Sequence, residues 1–124
     1  LVSTDLAYFA RAGAEGLEPP EGRPDLAVRL VAPRVLIGRR SHALGVSPDI
    51  DLSGDLEDPG ASRLHAILER RPDGSYSVID PGSTNGTFLN DCADPIPSSV
   101  PIGLRAGDCI YVGAWTRIRI ARGP

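Results

Sequence analysis

From Leu26 onward, apolar residues come in short runs separated at close intervals by glycine, proline, asparagine and aspartate. Runs of that length, with little 3.6-residue periodicity, are strands rather than helices. The pattern predicts strands over 26–31, 35–39, 50–52, 66–70, 76–80, 87–89, 109–112 and 116–121. Pro72-Asp73-Gly74 joins two alternating runs as a hairpin turn, and Arg105-Ala106-Gly107-Asp108 marks another reversal. Many short strands without β-α-β alternation favour a β-sandwich over a parallel α/β sheet. The first residues read differently. Positions 1–14 carry a weak helical or extended signal with Tyr8 and Phe9 as anchors, and 15–24 are rich in Gly, Pro and Glu, as linkers are. The expectation is an extension over 1–25 followed by one domain over 26–122. A chain that begins at Leu1 rather than Met is read as a piece of something longer.

Composition narrows the function classes. At 124 residues, 41% hydrophobic and 23% charged, the chain has enough material for one soluble core. No apolar stretch approaches the roughly 20 residues of a membrane helix, and no leader pattern is present, so neither membrane insertion nor export is expected. A formal net charge of −3 opposes broad attraction to nucleic acid, so any anion site must be local. Cys92 and Cys109 have no CxxC spacing, and the two histidines, His42 and His65, sit in unrelated segments. No metal or other cofactor is expected, and reduced thiols in a cytoplasmic protein are the expected state, with a Cys92–Cys109 disulfide as the alternative.

Three polar motifs carry the candidate chemistry. In Gly38-Arg39, an apolar run ends abruptly in glycine and charge, placing an arginine where a strand leaves the core. A guanidinium is a planar fork with a fixed charge, suited to a doubly charged phosphate. In Ser62-Arg63-Leu64-His65, Ser62 can donate to a phosphate oxygen, Arg63 adds a second cation, and His65 can lock the loop by bonding to backbone. Ser62 beside His65 also invites a hydrolase reading, but no GxSxG elbow surrounds the serine, and an enzyme is not expected. In Ser83-Thr84-Asn85-Gly86-Thr87, Asn85-Gly86 is a tight-turn signal. Thr84 offers a further phosphate donor, and the Asn85 amide can grip a peptide backbone from the side.

In this order, Gly-Arg, Ser-x-x-His and Asn-Gly resemble the forkhead-associated (FHA) domain. The resemblance covers about 26–121 and implies an all-β fold, an eleven-stranded β-sandwich that binds phosphothreonine peptides through loops at one end. Carried over by position, it makes Arg39 and Ser62 the main phosphate contacts, with Arg63 and Thr84 in support. Asn85 becomes the peptide-backbone contact, and Gly38, His65 and Gly86 shape the loops. The implied partner is a protein carrying phosphothreonine, such as a serine/threonine kinase or its substrate. The alternative is a scaffold domain that keeps the fold and binds without phosphate. One departure is the long connection over 40–61. Its acidic part, Asp55, Glu57 and Asp58, would repel a phosphate if turned inward and is expected to face solvent or a basic partner. Trp115 reads as a core or sheet-edge anchor.

Overall fold

A computed structural model describes residues 2–4, 30–41, 43, 45, 47–90 and 92–121. Nine strands are present among them: β1 (Val2–Thr4), β2 (Arg34–Gly38), β3 (Ile50–Asp51), β4 (Ala66–Arg70), β5 (Tyr76–Ile79), β6 (Phe88–Leu89), β7 (Ile102–Gly103), β8 (Cys109–Val112) and β9 (Thr116–Arg119). A single 3-10 turn, Gly54–Leu56, follows β3. None of the described helical segments is long and apolar enough to cross a membrane.

The strands form two sheets, β3-β2-β4-β5-β7 and β1-β9-β8-β6. All pairings are antiparallel except β2 with β3. Alternation aims one face of each strand at the other sheet. In β2, Val35 and Ile37 are buried while Arg34 is exposed, and in β9, Thr116 and Ile118 are buried while Arg119 is exposed. Register aligns these positions into rows: Val35 lies opposite Leu68 and Leu68 opposite Val78, while Ile110 lies opposite Ile118. All five belong to a single apolar cluster that spans both sheets. Burying each such side chain contributes about 1.5–3 kcal/mol.

The all-β sandwich expected from the sequence is the observed architecture, with nine strands rather than eleven among the described residues. Segments 66–70 and 109–112 match their strands in full, 50–52, 76–80 and 87–89 differ by one residue at one end, 35–39 is offset by one residue, and 116–121 runs two residues past its strand. The expected strand 26–31 falls mostly outside the described residues, as do Tyr8 and Phe9, and Leu30 and Val31 belong to no strand. Two strands carried too little pattern to be read. β7 is only two residues, Ile102 and Gly103, directly after Pro101, and it forms by pairing with β5. β1 lies within the segment read as an extension, and its Val2, Ser3 and Thr4 pair with Ile118, Arg117 and Thr116 of β9.

Candidate functional site

The register of the first sheet brings three connections to one rim. Ile37 pairs with Ala66 and Ile67 with Ile79, so the end of β2, the start of β4 and the end of β5 lie side by side. The Gly-Arg, Ser-x-x-His and Asn-Gly motifs therefore meet, although up to 48 residues separate their members, from Gly38 to Gly86.

Hydrogen bonds stitch the loops together. The Arg39 amide donates to the Arg63 carbonyl at 3.1 Å, and the His65 amide to Ile37 O at 2.8 Å. Gly38 lies beneath this crossing, where a Cβ would overlap the Arg63 carbonyl oxygen and stand 2.7 Å from the carbonyl carbon. The Arg39 Nε–H donates to Ala61 O at 2.7 Å, leaving the four N–H donors of its two terminal nitrogens. Ser62 Oγ accepts the Thr84 N–H at 2.9 Å, which leaves the hydroxyl proton to donate elsewhere. Asn85 Nδ2 donates to Gly60 O at 2.8 Å. Gly86, at φ +83°, makes the tight turn that an L side chain resists. Arg63, Thr84 and Asn85 are exposed at the rim, while Arg39 and Ser62 are half-buried.

His65 is fully buried beneath the loops. Its Nδ1 accepts the Ser62 N–H at 3.0 Å, so the ring proton is on Nε2, which donates to Gly86 O at 2.8 Å. Both ring nitrogens are thus engaged with backbone, and neither serves Ser62 Oγ as a base. Burial pushes the His65 pKa below its ordinary 6.5, against the opposing pulls of the Gly86 carbonyl and of the Asp80 and Asp58 carboxylates. A base whose folded pKa is depressed takes up its proton more readily in the unfolded chain. Stability is therefore full above pH 6.5 and falls as the pH drops from there towards the folded pKa. The melting temperature of the wild type is expected to fall as the pH drops below 6.5, with a shallower slope in His65→Asn. The difference between the two calorimetric profiles isolates His65, and parallel profiles would contradict its buried neutral state.

Carboxylates organise the surrounding backbone. Asp80 closes the start of the Asn-Gly loop, accepting from Gly82 N, Ser83 N and Ser83 Oγ at 2.6–2.8 Å. Burial alone would raise its pKa, but these donors outweigh that and hold it below the ordinary value. Asp51 is lowered in the same way, with burial overcome by the Ser53 hydroxyl and amide and by Arg40. Arg40 Nε lies 3.5 Å from Asp51, so this cation already has a partner, and Arg39 and Arg63 are left as the cations of the motif loops.

One expectation is overturned. Asp58, expected to face solvent, is fully buried, because the Asp58-Pro59-Gly60 turn folds its carboxylate onto backbone amides. Glu57 is exposed, and the Asp55 side chain lies outside what the structure describes. Besides Asp58, sequence reasoning missed the carbonyls of Gly60 and Ala61, which hold Asn85 and Arg39. The Asp-Pro-Gly triplet was a signal for the turn, but nothing in it announced the distant partners. Trp115 is buried at the β8–β9 turn. Among the described residues no group of His, Cys, Asp or Glu could hold a metal.

A two-sheet sandwich that gathers Gly-Arg, Ser-x-x-His and Asn-Gly loops at one rim defines a class of domain. The FHA domain family matches residues 35–113, and the chain belongs to that family. The oxoglutarate dehydrogenase inhibitor of Corynebacterium diphtheriae is 36% identical over 121 residues, covering 95% of this chain and 78% of that protein. The glycogen accumulation regulator GarA of Mycolicibacterium smegmatis is 35% identical over 128 residues, covering 97% and 75%. A solved structure from a study of phosphothreonine-dependent FHA domain interactions superposes with a TM-score of 0.60 at 24% identity, covering 84% of this chain and 93% of that one. That last likeness is one of fold.

Proposed function

We propose that this chain is a non-catalytic module that binds phosphothreonine in a partner protein and acts in serine/threonine kinase signalling. The observation that carries the reading is the convergence at one rim of Arg39, Ser62, Arg63, Thr84 and Asn85, with Arg39 and Ser62 held by bonds that leave donors over. A dianionic phosphate placed there would receive charge-assisted hydrogen bonds from pre-positioned groups, with little entropy lost on ordering them. Asn85 would hold the peptide backbone. Residues 26–122 would be the binding domain, with 1–25 as an extension. Relatives named as an inhibitor and a regulator fit a protein that works by docking. Free thiols at Cys92 and Cys109 fit a cytoplasmic setting, and a kinase or one of its substrates fits as the partner.

Titration calorimetry with matched peptides tests the proposal. Binding is expected to phosphothreonine and not to threonine, and phosphoserine should bind about fourfold more weakly, the worth of one buried methyl at ~0.8 kcal/mol. Equal affinity for phosphorylated and unphosphorylated threonine would overturn the reading and leave the phosphate-independent scaffold in its place.

A further inference from the structure

Asp58 is a buried carboxylate to which the phosphate chemistry assigns no part. Its Oδ1 accepts the Gly60 N–H at 3.0 Å and the Ala114 N–H at 2.9 Å. Its Oδ2 accepts the Trp115 N–H at 3.1 Å and the Thr116 hydroxyl at 2.6 Å. All four partners donate, which suits a carboxylate and suits no other side chain of its size. Two of them belong to the β8–β9 turn and one to the first residue of β9, while the fourth opens the stretch that carries Ser62. The fit is close on both sides. A Cβ on Gly60 would stand 2.7 Å from the Ala114 amide nitrogen, and one on Gly113 would stand 2.5 Å from the Asp58 carboxylate.

The residues next to this latch are the ones that hold the peptide-reading side chains. Gly60 O receives the Asn85 amide and Ala61 O receives the Arg39 Nε–H, so the 58–62 backbone sets where both side chains point. Resting on the phosphothreonine reading, we infer that Asp58 is a positioning residue of the binding site. Its carboxylate fixes the Gly60 and Ala61 carbonyls against the second sheet, and through them it orients Asn85 and Arg39 without touching ligand. A buried charge serves here because four donors from two distant segments must be satisfied at one point. A neutral amide would place N–H groups against the Trp115 amide.

The test uses the full chain as Asp58→Asn, Thr116→Val and Thr116→Ser, at a temperature where each variant is folded by calorimetry. Asp58→Asn is expected to bind a phosphothreonine peptide about tenfold more weakly, as follows when groups that meet the ligand lose their fixed geometry. Thr116→Val should lose at least threefold, and Thr116→Ser, which keeps the hydroxyl, should bind as wild type. In NMR spectra of the free protein, the Asn85 side-chain amide and Arg39 Nε–H signals should shift in Asp58→Asn while core methyls of Ile37 and Leu68 stay in place. A purely structural Asp58 would lower the melting temperature and leave affinity and those two signals unmoved, and a loss under threefold in a folded variant overturns the inference. If Asp58→Asn does not fold, Thr116→Val against Thr116→Ser decides it on the same threshold. If wild type binds no phosphothreonine peptide, the functional reading fails instead, and the NMR signals alone decide the positioning role.

Discussion

Gly38→Ala is expected to destabilise the domain by about 3 kcal/mol, the upper range for overpacking a tight site. The added methyl would overlap the Arg63 carbonyl oxygen, and the Ser62 carbonyl oxygen stands only 3.1 Å away. Backbone cannot swing aside as a flexible side chain would. Arg63 O is tied by the Arg39 amide, and Gly38 O by the Leu52 amide at 2.7 Å. In a domain of this size the change should lower the melting temperature by about 10 °C in scanning calorimetry. Phosphopeptide binding should fall with it, because Arg39 and Arg63 ride on the two segments being forced apart. A variant melting within about 2 °C of wild type would show that the crossing yields more easily than its hydrogen bonds imply.

Removing the charge leaves the fold but should empty the site. Arg39→Ala gives up one hydrogen bond, to Ala61 O, at a cost of about 1 kcal/mol, while the β2 register survives through its backbone. Binding is expected to weaken by about 2–5 kcal/mol, roughly 30-fold to several thousand-fold, since a phosphate would lose its chief cationic donor. Arg39→Lys restores the charge without the planar fork and should recover only part of that loss. Ser62→Ala should weaken binding less, because it deletes one neutral donor and frees the exposed Thr84 amide to water. Calorimetric titration of all three against one phosphothreonine peptide ranks them. Wild-type affinity in folded Arg39→Ala would place the ligand somewhere other than this rim.

Much of the architecture was open to reading because strand alternation and turn chemistry are local. Val35 to Ile37, Ala66 to Leu68 and Ile110 to Val112 advertise buried faces, and Pro72-Asp73-Gly74 advertises its hairpin. β7 escaped because two residues beside proline carry no period, and β1 because three residues gain their strand geometry only from β9. The rim residues were legible as a set of phosphate-suited side chains in family order. Their individual supports were not.

Asp58 shows where the division lies. As sequence it was one of three acidic residues in the 55–58 stretch of a loop, and a charge on a loop belongs in water unless partners are waiting. Those partners, at positions 114–116, lie more than fifty residues away in sequence and are brought to it only when the two sheets close on each other. The sequence by itself determined the fold class, the turn sites and the residue types at the rim, since each depends on period, backbone preference or side-chain chemistry within a few positions. Tertiary structure alone decided which carbonyl holds Arg39, which amide reaches Ser62, which nitrogen of His65 bears the proton, and that Asp58 turns inward, because each depends on donors and acceptors that meet only across the packed loops.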